Sequence, residues 1–288
     1  MSSPARTGSA TAALGTNVPH ARSIRAAATS AFLALLLRDL RVLRKTFGQF
    51  AVRTIMQPLL LVFVFTYVFP RIGQGIGGSS RGEAAFSTLL MAGVIATSMV
   101  FQGVQAVALP LVQEFGFTRE IEDRVMAPLP VWAVAAEKLV SGAFQGLLAG
   151  LVVFPLAALI PATPVHLVFR WGYLLTITPI SAILGAALGL TMGTNVDPRQ
   201  VPLLFSVVII PMTFLGAIYY PWVTLSPIPW LKWFVLLNPL VYMSEGFRLA
   251  LTEGIPHMPV TAIYGGLVGF SVLFTWLGVR GFKRRVLA

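Results

Sequence analysis

Charge is what this 288-residue chain most lacks: only 11% of its residues are charged, and only 10 are acidic. Soluble domains carry charge on about a quarter of their residues, so this scarcity, with a mean hydropathy of +0.81, excludes a soluble globular fold and identifies a membrane protein. Cysteine is absent, which excludes disulfides and cysteine-based metal sites. No G-x-x-x-x-G-K-[ST] phosphate loop occurs, so the chain cannot itself bind ATP by that means. The formal net charge of +11 would need a basic face on a soluble fold to imply nucleic acid. No such fold is available, and the positive charge needs a topological explanation.

What the chain has in abundance is long stretches free of Asp, Glu, Lys and Arg. Crossing roughly 30 Å of hydrocarbon takes about 20 apolar residues in a helix. Six stretches qualify or nearly so: Thr54 to Pro70, Ala84 to Gln113, Leu139 to Phe169, Trp171 to Val196, Gln200 to Leu231 and Gly254 to Val279. An all-α polytopic membrane protein with six transmembrane helices is therefore expected. An even count places both termini on one side, and lysine and arginine favour the cytoplasm. With the termini inside, that side holds the basic residues before Thr54, those after Val279, and Arg119, Arg124, Lys138 and Arg199. Only Arg71, Arg81, Arg170, Lys232 and Arg248 remain outside.

Residues 1–29 are rich in Ser, Ala, Thr and Arg without apolar periodicity and read as a disordered basic cytoplasmic tail. Residues 30–49 read as an N-terminal interfacial helix, because Arg38, Arg41 and Lys45 share one face while Leu36, Leu40, Leu43 and Phe47 share another. The six-span domain then occupies residues 50–280, and 281–288 form a second basic tail. Within the domain, Gly142, Gly146 and Gly150 recur every four residues, as do Gly185, Gly189 and Gly193, and Gly265 and Gly269 repeat the spacing once. Stripes of this kind let helices approach closely in lipid, so their expected role is packing.

Two segments break the pattern. Between spans five and six, residues 221–256 are too apolar for a loop and too interrupted for one helix, with Pro221, Pro227, Pro229, Pro239 and Pro256 each disrupting backbone hydrogen bonding. Irregular backbone at membrane depth is tolerated only against protein or a cavity; short re-entrant helices are therefore expected there. Tyr219, Tyr220, Trp222, Trp230 and Trp233 would lie near the outer headgroups, and Glu245 and Arg248 would neutralise each other one turn apart. The other segment is the connection 114–138 between spans two and three, which holds the charge-dense run "REIEDR", Arg119 to Arg124. In a helix, Arg119 pairs with Asp123 and Glu120 with Arg124, while Phe117, Ile121 and Val125 share another face. Two spans need only a handful of residues to join, so a connection of this length has the form of a docking element.

These two segments carry a family resemblance. The cytoplasmic stretch "EFGFTREIEDRVMAPLPVWAVAAEK", and the ordered series "FLGAIYYP", "IPWL", "LNPLVY" and "EGFR", resemble the permease subunits of bacterial type-2 ABC exporters, which include drug-resistance and lipo-oligosaccharide or polysaccharide exporters. The resemblance implies a transporter of two permeases and two cytoplasmic ATPase subunits in the inner membrane, with a homodimer the simplest pairing. ATP and Mg would be bound by the partner ATPase and no cofactor or metal by this chain, which would be a transport subunit rather than an enzyme. Glu114, Arg119, Glu120, Glu122, Asp123 and Arg124 would couple to the ATPase. Tyr219, Tyr220, Pro221, Trp222, Asn238, Pro239, Glu245 and Arg248 would form the outer closure. The usual Gly-Thr of the connection stands here as Gly116-Phe117-Thr118.

Two other classes fit less well. An ion-coupled secondary exporter needs an ionisable group inside a span, and the charge-free stretches offer only His166 and His257, both at expected outer ends. A membrane-embedded lipid enzyme needs converging carboxylates or histidines, whereas Glu83, Glu245 and Glu253 are scattered along the chain. Membrane lipids are expected partners and nucleic acid is not. An amphiphilic drug, lipid or lipid-linked glycan is the expected substrate.

Overall fold

The computed structural model describes residues 24–76, 79–118, 130–160, 165–197, 200, 203 and 205–287. Helix α1 spans Ile24–Lys45 and α2 spans Phe47–Val62; α2 runs on through a π-helical stretch, Phe63–Val68, into the short α3, Phe69–Arg71. Then come α4 (Ser80–Gln113), α5 (Val131–Leu159) and α6 (Trp171–Asn195). Three short helices follow: α7 (Ile210–Phe214), α8 (Pro229–Phe234) and α9 (Pro239–Leu251). The last, α10, spans Val260–Leu287. Among the described residues five helices are long and apolar enough to cross a membrane: Phe47–Arg71, Arg81–Gly116, Val131–Pro155, Trp171–Asn195 and Val260–Val286.

Local chemistry accounts for several boundaries. The Ser79 hydroxyl accepts a hydrogen bond from the Gly82 amide at 3.2 Å, capping α4, and Glu83 sits favourably in the first turn. Asn238 caps α9 in the same way through the Leu240 amide at 2.9 Å, with Pro239 at the position where its missing N–H costs nothing. Pro58 and Pro110 lie inside α2 and α4, shortly before the helices widen into π-helical turns. Each proline removes one ladder donor and so loosens the register beyond it.

The centre of the bundle is α4. In its membrane-length window 83% of residues are buried, against 22% for the spans containing α2 and α10, so those two helices form its rim. Glycines bring the central backbones together. A Cβ added at Gly189 would lie 2.8 Å from the Val104 Cα, and one at Gly103 would lie 2.8 Å from the Gly185 carbonyl carbon. On α5, Gly142 faces Val107, Gly146 faces the Met99 carbonyl and Gly150 faces the Met99 sulfur; on α6, Gly185 meets Met99 and Gly193 meets Leu111. Gly265 and Gly269 differ from this pattern. A Cβ added at either would meet nothing within 4 Å beyond its own helix, because that face of α10 points away from the bundle. It is Gly266, against Tyr242, and Gly278, against Leu190, that seat α10.

The chain departs from its expected boundaries in three places. Residues 1–23 lie outside the described part, but 24–29 are helical as part of α1, and of the expected tail 281–288 the residues up to Leu287 are helical as the end of α10. The first span begins at Phe47 directly after a single turn residue, Thr46, which places Arg53 inside the spanning helix. The stretch Gln200 to Leu231 is not one long helix among its described residues: a π-helical turn, Phe205–Ile209, continues into α7, and after irregular chain come a 3-10 turn, Trp222–Leu225, and the start of α8.

Two ends of the bundle can be distinguished. Glu114, Lys138, Asp39, Asn195 and Arg285 gather at what is here termed the basal end, where Phe115 meets Phe282 and Arg285 donates to the Val196 carbonyl. Phe65, Phe86, Tyr219 and His166 gather at the far end.

The glycine contacts predict a sharp contrast. Gly189→Val should lower the thermal unfolding midpoint of the detergent-solubilised protein, in line with the roughly 1–3 kcal/mol cost of overpacking. Gly265→Ala should leave that midpoint unchanged or raise it slightly, since alanine is the better helix former by up to about 1 kcal/mol.

Candidate functional site: two buried ion clusters

Outside the close-packed centre, the buried charges fall into a cluster at each end. At the basal end the Lys138 ammonium, 4% exposed, donates to the Glu114 carboxylate at 3.0 Å and lies 3.7 Å from Asp39. These three residues come from α5, from the π-helical turn Glu114–Thr118 that prolongs α4, and from α1. Glu114 and Lys138 are also the first and last residues of the connection expected to dock a partner. Its base is thus closed by one ion pair and tied to the N-terminal helix by the same lysine. Arg119, Glu120, Glu122, Asp123 and Arg124 lie outside the described residues. Glu114 therefore stands apart from that charge run: it is 6% exposed and turned into the bundle.

Helix α1 packs against the start of α5. Leu43 is buried and Leu36 half-buried, while Leu40 and Phe47 are 37% and 48% exposed. The apolar face thus divides between protein contact and the surroundings, and Asp39 reaches Lys138 from it.

At the far end the Glu245 carboxylate is the hub. Both Glu245 and Arg248 are wholly buried and form an ion pair at 2.5 Å. The same Glu245 Oε1 accepts from the Trp222 amide at 2.7 Å, and Oε2 accepts from the Met258 amide at 2.7 Å. Arg248 Nη2 donates to the Ala217 carbonyl at 2.8 Å. Ala217 has φ +53°, in the left-handed region that disfavours side chains other than glycine. A buried cation holding its carbonyl makes that conformation tolerable. One acidic side chain thereby ties the chain before α8 to the chain after α9, and its arginine partner ties both to the turn after α7.

The other residues expected to form the outer closure surround this hub. Asn238 Nδ2 donates to the Met212 carbonyl at 2.7 Å while its oxygen caps α9. Trp222 Nε1 donates to the Lys232 carbonyl at 2.9 Å, and the Lys232 ammonium lies 4.5 Å from the Trp222 ring centroid. Tyr219 packs between Phe65 and Phe214, and Tyr220 reaches the Phe214 carbonyl at 3.5 Å. Pro221 and Pro239 are buried, whereas Trp230 and Trp233 are 71% and 68% exposed. Helix α9 is 13 residues long, about 20 Å at 1.5 Å per residue. It is too short to cross and is enclosed by α4, α6 and α10.

Several of these partners were not visible to sequence reasoning. Asp39 had one signal, as the sole acidic residue before Glu83 in an otherwise basic stretch. The amides of Trp222 and Met258 and the carbonyl of Ala217 carry no residue-type signal. Among the described residues no three His, Asp or Glu side chains converge as a metal site.

A glycine-packed bundle of long apolar helices, with an ion cluster at each end and a clasped, proline-broken segment at the far end, is that of a multi-pass membrane protein. Residues 30–252 match the ABC-2 type transporter family, and the chain belongs to that family. It is 28% identical over 232 residues, 79% of this chain and 86% of theirs, to proteins called inner membrane transport permease YadH from Escherichia coli strain K12, Escherichia coli O157:H7 and Shigella flexneri.

The clasp orders two substitutions. Glu245→Ala removes the acceptor of two backbone amides and strands a buried guanidinium, a class of change that costs about 3–5 kcal/mol. Arg248→Met leaves Glu245 with both amides. Thermal unfolding in detergent should show the larger loss for Glu245→Ala; equal losses would mean that the amide bonds contribute nothing.

Proposed function

We propose that the chain is the permease subunit of an ATP-driven exporter that moves an amphiphile out of the cytoplasm or the inner leaflet. Two copies would form the passage in the bacterial cytoplasmic membrane, with both termini of each copy in the cytoplasm. A separate ATPase would bind ATP and Mg at the basal end. Membership of the ABC-2 type transporter family supports the transport class, and the YadH relatives are named as inner membrane permeases.

The observation that carries the coupling role is the Glu114–Lys138 pair with Asp39. A connection whose two ends are pinned together can transmit a push to α1, α4 and α5 as a unit, whereas an unpinned loop would absorb it. Residues Arg119 to Arg124 would then be the part seated on the ATPase. A sixth crossing would lie between Val196 at the basal end and Tyr219 at the far end, and those two positions support that reading. Helix α9 and its clasp would serve as the re-entrant outer closure.

Charge reversal supplies the test. Glu120→Lys with Asp123→Lys should abolish co-purification with the ATPase and ATP-dependent transport while leaving membrane insertion intact. Lys138→Met should keep the ATPase bound but lower the transport obtained per ATP hydrolysed, measured in proteoliposomes. A permease that retains full ATPase binding and export after the double reversal would overturn the coupling assignment.

A further inference from the structure

Beside the central helices runs a groove between α2 and α4 whose chemistry changes along its length. Two open cavities, of about 470 and 770 Å³, are both lined by Arg53 and Gln105. Toward the basal end the walls are polar. Toward the far end they become apolar, with Met56, Leu60 and Phe65. Arg53 lies six residues into the spanning helix from Phe47, about 9 Å along the axis, and Gln57 one turn deeper. Both are exposed on the rim helix.

Among the described residues, Arg53, Gln57 and Gln105 have no hydrogen-bonding or ionic partner. Their neighbours are satisfied: Thr54 donates to Gln102 at 3.1 Å, and Gln102 donates to Gln145 at 3.4 Å. The nearby carboxylates, Asp39 and Glu114, already share Lys138. A guanidinium and two carboxamides left without partners on a spanning face are costly in hydrocarbon and mark a place where polar matter is received.

We propose that this groove receives the substrate: an amphiphile with a phosphate-like anionic head held by Arg53, Gln57 and Gln105, and an alkyl chain laid along Met56, Leu60 and Phe65. A guanidinium suits a phosphate head through paired charge-assisted donors, and the apolar end suits a chain that stays in the bilayer. The assignment of the groove to transport rests on the exporter reading above. The binding does not.

Dodecyl phosphate is the probe, with inorganic phosphate and dodecyltrimethylammonium as controls. Permease and ATPase are reconstituted together in phosphatidylcholine nanodiscs, and ATP hydrolysis is followed alongside retention of the probe on the permease alone by native mass spectrometry. Dodecyl phosphate should stimulate hydrolysis and remain bound, and R53Q should raise its half-saturating concentration at least tenfold. Q57L should raise it less, and both controls should be inert. An unchanged half-saturation in R53Q, equal binding of the cationic amphiphile, or inorganic phosphate acting alone would overturn the proposal. So would R53Q separating two permease copies with probe binding intact, which would make this face a copy interface. If no ATPase assembles, the exporter reading fails, and retention on the permease alone still decides the groove.

Discussion

The far end of the molecule depends on one buried carboxylate. A bilayer offers no water to backbone groups, so irregular chain at depth survives only if protein satisfies it. Five prolines between 221 and 256 make that chain irregular, and Glu245 answers by accepting from two amides that belong to different segments. Arg248 balances its charge and extends the same network to the Ala217 carbonyl. Without the pair, α8, α9 and the turns around them would have no common anchor.

The basal end solves a different problem with the same means. There a lysine and two carboxylates join α1 to the end of α4 and the start of α5. Between the two clusters the bundle is held by shape. Gly103, Gly185 and Gly189 remove the side chains that would separate α4 from α6, and dispersion between close backbones replaces the hydrophobic drive that lipid cannot supply. The interior is therefore stiff and ionically fastened at both ends. The rim helices α2 and α10 remain exposed, which is where polar groups such as Arg53 and Gln57 become informative.

Much of this was legible in advance. The charge-free runs gave the long helices, since apolar length alone decides which segments can cross. The four-residue glycine spacing located the faces of α5 and α6, because that period returns to one side of a helix. The same spacing failed at Gly265 and Gly269: a stripe says that close approach is possible, not that a partner is present. Arg53 was counted with the flanking residues because it ends a charge-free run, whereas the helix begins at Phe47 and carries it inside.

By itself, the sequence determined that this chain lives in a membrane, where its long apolar helices lie, that the segment 221–256 must be broken, and that Glu245 and Arg248 sit one turn apart. Those properties are local or additive along the chain. Tertiary structure alone decided that Lys138 closes the connection it terminates, that Asp39 joins it, and that Glu245 binds the amides of Trp222 and Met258. Such pairings depend on how distant helices are seated against one another, and backbone amides look alike in any sequence until packing brings a carboxylate to them.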